Sequence, residues 1–174
     1  MSLAKVTVEQ AAEETSSSRR VRLELVAPFI EAAADVIKKE LGETVGKGRI
    51  HRVRSPRTSG EVSALVAVTG GLSGIAVYSM SLEMARTIAS AMIGEPVAEF
   101  DEMAQSAIAE LANVVTGQAG IRLERNGYRT DMSPPALLVG AGSTIATFDL
   151  SRLVVPLVLS GGQFNIDIAV KASP

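Results

Sequence analysis

The 174-residue sequence contains no cysteine, no tryptophan and a single histidine, His51. Lack of cysteine excludes disulfides, thiol nucleophiles and thiolate metal ligands. One imidazole cannot assemble a zinc or non-haem iron site, which draws on several such ligands, so no metal site is expected. His51 lies in Ile50-His51-Arg52-Val53-Arg54, whose pattern reads as a strand with the ring in solvent rather than as part of a catalytic triad. Neither sign of charge dominates: 17 Lys and Arg face 19 Asp and Glu, a net charge of -2. That balance argues against a nucleic-acid interface that works by neutralising phosphates. Arg19, Arg20 and Arg22, and separately Arg52, Arg54 and Arg57, read as short solvated clusters.

One uncharged run, Val62 to Leu82, is long enough to cross a bilayer. It is interrupted by Thr69-Gly70-Gly71-Leu72-Ser73-Gly74 and flanked by β-branched residues, so it reads as two buried strands joined by a glycine turn. No membrane span is expected. Glu9, Glu13, Glu14 and Ser16 to Ser18 make the beginning too polar for a signal peptide. With no oxidative framework, a reducing, cytoplasmic setting is expected.

What is present is core-forming material. Hydrophobic residues make up 47 % of the chain, enough for one ordinary domain, expected over 21–174 behind a flexible extension over 1–20. Helical periodicity runs from Val21 to Leu41, with Leu23, Val26, Ile30, Ala33, Ala34 and Ile37 on one side and Gly42 as a stop. Strands are expected at Arg49–Arg54, Val62–Val68 and Gly74–Ser79. Ser81 then caps a helix that ends at Gly94. A long helix follows over Asp101–Asn126, closed by Gly127. The remainder reads as strands at Thr130–Met132, Leu137–Val139, Thr144–Phe148, Leu153–Leu159 and Phe164–Val170. Few strands are separated by helical crossovers, so the pattern predicts an α+β fold: a mostly antiparallel sheet with long helices packed on one face. A faint repeat accompanies it. Pro56 follows Ala34 by 22 positions and Pro135 follows Asn113 by 22, which suggests a duplicated helix-plus-strands unit.

On the long helix, Ala104, Ile108, Leu111, Ala112, Val115 and Ala119 gather on the core side. Ser106, Glu110, Asn113, Gly117 and Glu124 gather opposite, and Glu110 and Asn113 are neighbours because residues three apart share a face. Such a pair is ordinary on the solvated side of a helix. Two features are less ordinary. Asn is a poor helix-interior residue, and Gly117 costs about 1 kcal/mol relative to Ala while leaving room for another backbone to approach.

The segment from Phe100 to Asn113 resembles the signature region of the CheC/CheX/FliY phosphatases: Asp or Ser, three residues, Glu, two residues, Asn, and a proline just over twenty residues later. Ser106, Glu110, Asn113 and Pro135, with Pro134 beside it, supply that pattern. The resemblance extends from about Val21 to Ser173, through Thr69-Gly70-Gly71, Ala91-Met92-Ile93-Gly94 and Asp131-Met132-Ser133-Pro134-Pro135. It implies a CheC-like fold and hydrolysis of the phosphoaspartate of a CheY-like response regulator. In that chemistry Asn113 orients the attacking water and Glu110 pairs with the regulator's active-site lysine, while Ser106 and Gly117 form partner-binding surface. No cofactor of its own is implied, Mg2+ being supplied by the phosphorylated receiver. The related CheC branch is expected to carry a second Glu/Asn pair on the first helix. Here Glu31 is present but position 34 is Ala, which implies one site per chain and the homodimer of the CheX branch. The alternatives are a non-catalytic receiver-binding adaptor and a dimerisation module.

Overall fold

The computed structural model describes residues 23–145 and 151–174; the expected extension over 1–20, and part of the expected strand at Thr144–Phe148, lie outside the described residues. Among the described residues three helices and eight strands follow one another. The first helix, α1, covers 23–41 and stops where Gly42 turns left-handed and donates to the Lys38 carbonyl at 2.9 Å. Two short strands follow, β1 (Gly46–Lys47) and β2 (His51–Val53), and then β3 (Val62–Gly70) and β4 (Leu72–Met80). Between β3 and β4 the chain reverses at Gly70, whose φ of 90° suits glycine. The uncharged run is thus the hairpin expected, and no described helix is long and apolar enough to cross a membrane.

Helix α2 (Leu82–Ile93) begins where Ser81 accepts from the Met84 amide at 3.1 Å and ends at Gly94. Helix α3 (Glu102–Arg125) begins where the Asp101 carboxylate accepts from the Ala104 amide at 2.9 Å, an anion suited to the positive helix end. After it come β5 (Thr130–Met132), β6 (Ala136–Val139), β7 (Arg152–Leu159) and β8 (Gly162–Ala172).

All strands pair antiparallel in one sheet, in the order β1-β7-β8-β4-β3-β5; β2 continues β1 along β7, and β6 continues β5 along β3. Alternate residues of β3, β4, β7 and β8 pack with all three helices into one core that includes Phe29, Ile37, Tyr78, Ile88, Ile108, Leu123 and Phe164. The helices therefore lie on a single face, as the sequence predicts.

The duplication is visible in the pairing. The strands after α1 zip onto β7, the strands after α3 zip onto β3, and β4 pairs with β8 at the centre. Both edge strands are broken alike. From Met132 opposite Val68 to Ala136 opposite Leu65, four steps on one strand face three on the other. From Lys47 opposite Leu157 to His51 opposite Val154, the same four steps face three. Each is a one-residue slip that bends the edge. At β5/β6 the slip coincides with Pro134 and Pro135, which cannot donate to the ladder.

The structure departs from or adds to the sequence reading in three places. Leu23 is 48 % exposed rather than core-facing, because contact with the core begins at Leu25. Of the strand expected at Thr144–Phe148, the described part shows an isolated bridge from Thr144 to Arg57, and the rest lies outside the described residues. The pair Gly46–Lys47 is a strand that its two residues alone could not announce; it exists because β7 offers it a partner.

Candidate active site

Helix α3 presents its two sides as the periodicity requires. Ala104, Ile108, Leu111, Ala112, Val115 and Ala119 are buried, while Ser106, Glu110, Asn113, Gly117 and Glu124 are exposed. The structure thus brings the four expected site residues onto one solvent-facing stripe, with Glu110 and Asn113 separated by about 4.5 Å along the axis. Among the described residues no ion pair engages Glu110, and the Ser106 hydroxyl is turned back onto the Glu102 carbonyl at 2.8 Å. At Gly117 an added Cβ would meet nothing within 4 Å. Nothing within the described chain therefore calls for glycine there.

The stripe is held from behind. Tyr78 of β4 is fully buried, and its hydroxyl lies 2.7 Å from the Thr116 hydroxyl. Thr116 in turn donates to the Ala112 carbonyl at 2.6 Å, one turn back on α3. Burial pushes the Tyr78 phenol well above its ordinary range, and the Thr116 contact only partly offsets it, so the group stays a neutral hydrogen-bonding hydroxyl. Phe164 stacks beside the ring, centroids 6.0 Å apart. This lock sits on the turns that carry Asn113 and Gly117. Sequence periodicity does not reveal it, because its two members are 38 residues apart and threonine at a helix position announces no partner.

The corresponding part of α1 is arranged differently. Arg122, from the far end of α3, reaches the Asp35 carboxylate at 2.5 Å and the Glu31 carboxylate at 3.8 Å. Glu31 thus already faces a cation of its own chain, and Ala34 beside it has no hydrogen-bonding group. Among the described residues no cluster of three or more His, Asp or Glu could hold a metal ion. His51 is exposed, its Nδ1 3.1 Å from the Arg49 carbonyl oxygen, as expected for a solvated strand residue.

Helices on one face of an antiparallel sheet, built twice around a central strand pair, define a CheC-like protein. A crystal structure of a CheC-like superfamily protein from Shewanella sp. PV-4 shares the architecture with a TM-score of 0.78 and 26 % identity, covering 86 % of this chain and 99 % of that one. Within that class the chain belongs to the family of the chemotaxis phosphatase CheX, whose profile matches residues 62–157. It is 30 % identical over 149 residues to the CheY-P phosphatase CheX of Thermotoga maritima, covering 85 % of this chain and 96 % of the relative. It is also similar to the crystal structure of the CheX-CheY-BeF3-Mg2+ complex of Borrelia burgdorferi, with 25 % identity, a TM-score of 0.72 and coverage of 84 % of this chain and 97 % of that one.

Proposed function

We propose that this chain hydrolyses the phosphoaspartate of a CheY-like response regulator in the cytoplasm, with Asn113 orienting the attacking water and Glu110 pairing with the regulator's active-site lysine. The observation that carries the reading is the exposed Glu110–Asn113 pair on α3, in a chain of the CheX family.

The chemistry asks little of this chain. An aspartyl phosphate is an acyl phosphate, and its loose transition state needs a water placed in line with the departing carboxylate more than a strong base. The Asn113 amide suits that task, since its oxygen accepts and its NH2 donates without titrating near neutral pH. The Glu110 carboxylate forms a charge-assisted contact with a lysine ammonium and helps exclude water from the phosphoryl group. Mg2+ belongs to the receiver, in keeping with the metal named in the Borrelia complex. Two chains with one site each make up the working homodimer in this reading.

Release of phosphate from a phosphorylated receiver, with and without the protein, tests the assignment. Asn113→Ala is expected to lower the accelerated rate by about 100-fold or more, with affinity for a beryllofluoride-activated receiver largely kept. Glu110→Lys is expected to weaken that affinity itself. Full activity in Asn113→Ala would remove the water-placing role, and unchanged affinity in Glu110→Lys would remove the lysine contact.

A further inference from the structure

Six large apolar side chains are more than two-fifths exposed among the described residues, and the two most exposed are Met103 at 59 % and Ile121 at 56 %. Both lie on α3. They are 18 residues apart, five full turns at 3.6 residues per turn, so they project in the same direction. The stripe runs alongside that direction: at 3.6 residues per turn Glu110 is turned from it by about 20°, Gly117 by about 40°, Ser106 by about 60° and Asn113 by about 80°, all to the same side. Met103 lies about 10 Å along the axis before Glu110, and Ile121 about 12 Å beyond Asn113. The polar pair is thus bracketed by two bare apolar side chains. Neither joins the core cluster, although every other part of α3 that is strongly apolar does.

We propose that Met103 and Ile121 are the anchors by which the phosphorylated receiver is held across α3, one on each side of the Glu110–Asn113 pair. The inference rests on the receiver dephosphorylation proposed above. The surface is continuous with that site: the exposed Ser106 and Gly117 lie between anchors and pair, and the half-buried Ala107 and Val114 border the anchors' line on its other side. The span from Met103 to Ile121 is about 27 Å, close to the diameter of a small domain. A single receiver seated with its phosphoryl group over the pair therefore covers both ends. Apolar side chains at those ends add binding energy and extend around the polar centre the exclusion of water that Glu110 provides at the phosphoryl group. Their work is affinity rather than chemistry, and the two are separable.

Met103→Gln, Ile121→Gln and the double variant test this. Both positions are exposed helical sites and glutamine is a good helix former, so folding is retained, as far-UV circular dichroism would verify. The probes are a receiver phosphorylated by acetyl phosphate for steady-state turnover, the same receiver with beryllofluoride for Kd, and analytical ultracentrifugation of the phosphatase alone. Each single variant is expected to raise KM and Kd about fivefold, and the double about 20-fold or more, with kcat within about twofold. Unchanged KM and Kd in the double variant would overturn the anchors. So would loss of self-association in the double variant with Kd intact, since the face would then belong to a second copy of the chain. Asn113→Ala, run in parallel, keeps the two proposals apart. If it retains full turnover, the reading of the pair fails while a weakened Kd in the double variant still supports the anchors. If it abolishes turnover while the double variant binds normally, only the anchors fail.

Discussion

Gly117 is a helix-interior glycine on an exposed face with open space around its missing Cβ. Intrinsic helix propensity alone penalises it by about 1 kcal/mol relative to alanine. Gly117→Ala is therefore expected to raise unfolding stability by about that amount, read as a higher urea midpoint with unchanged slope, while weakening receiver binding. A stabilised variant with normal affinity would mean that the glycine serves no partner. Asn113, four residues earlier, pairs low helix propensity with an exposed position in the same way. At this scale the sequence was a good guide, because exposure on α3 follows periodicity and periodicity is local. The reaction was not in the periodicity. It came from the spacing of Ser106, Glu110, Asn113 and Pro135 and its resemblance to a family. Thr116 shows where local reading stops: its burial depends on Tyr78, brought in from another strand.

Among the elements, helices and hairpins were legible and their partners were not. Ser81, Asp101, Gly94 and Gly127 mark helix ends by capping chemistry that needs no knowledge of the fold. The attachment of β1 and β2 to β7, about a hundred residues away, has no local signature. Nor does the reach of Arg122 to α1. That contact bears on the half that carries Ala34. Restoring an amide with Ala34→Asn would supply the missing side chain, yet Glu31 would still face Arg122 rather than a receiver lysine. Ala34→Asn introduced into the Asn113→Ala background is therefore expected to leave phosphate release at the rate of Asn113→Ala alone. Recovered turnover would show that Arg122 does not hold Glu31 strongly enough to matter, as a solvent-exposed pair can fail to do.

For the whole molecule, one buried charge on the sheet face away from the helices ties pH to stability. Asp167 is 1 % exposed; its Oδ2 lies 3.7 Å from Arg152 Nη1, and neither of its side-chain oxygens has a hydrogen-bond partner among the described residues. Burial pushes its carboxyl from the ordinary 3.8 up to about 6, against the opposing pull of Arg152 and then His51. The folded state therefore holds this proton more tightly than the unfolded chain. The stabilisation is fully present below about pH 3.8 and is lost as pH rises through about 6. Asp167→Asn is expected to reduce the fall in unfolding free energy between those two pH values, measured by urea titration. Arg152 keeps its contacts to the Ser55 and Arg57 carbonyls in that variant. An unaltered pH dependence would mean that Asp167 does not titrate in this window.

The crossed attachment of the edge strands bears on how such a molecule can change over generations. The α1 half donates its edge to the hairpin of the α3 half and receives the other half's edge in return, around a shared β4–β8 seam. Removing either half would strip the other of its border and leave a long unpaired strand open to aggregation. Neither half can be inherited without the other. In the function proposed above, the half with Ala34 in place of an amide can be silent and still be required as the border of the other.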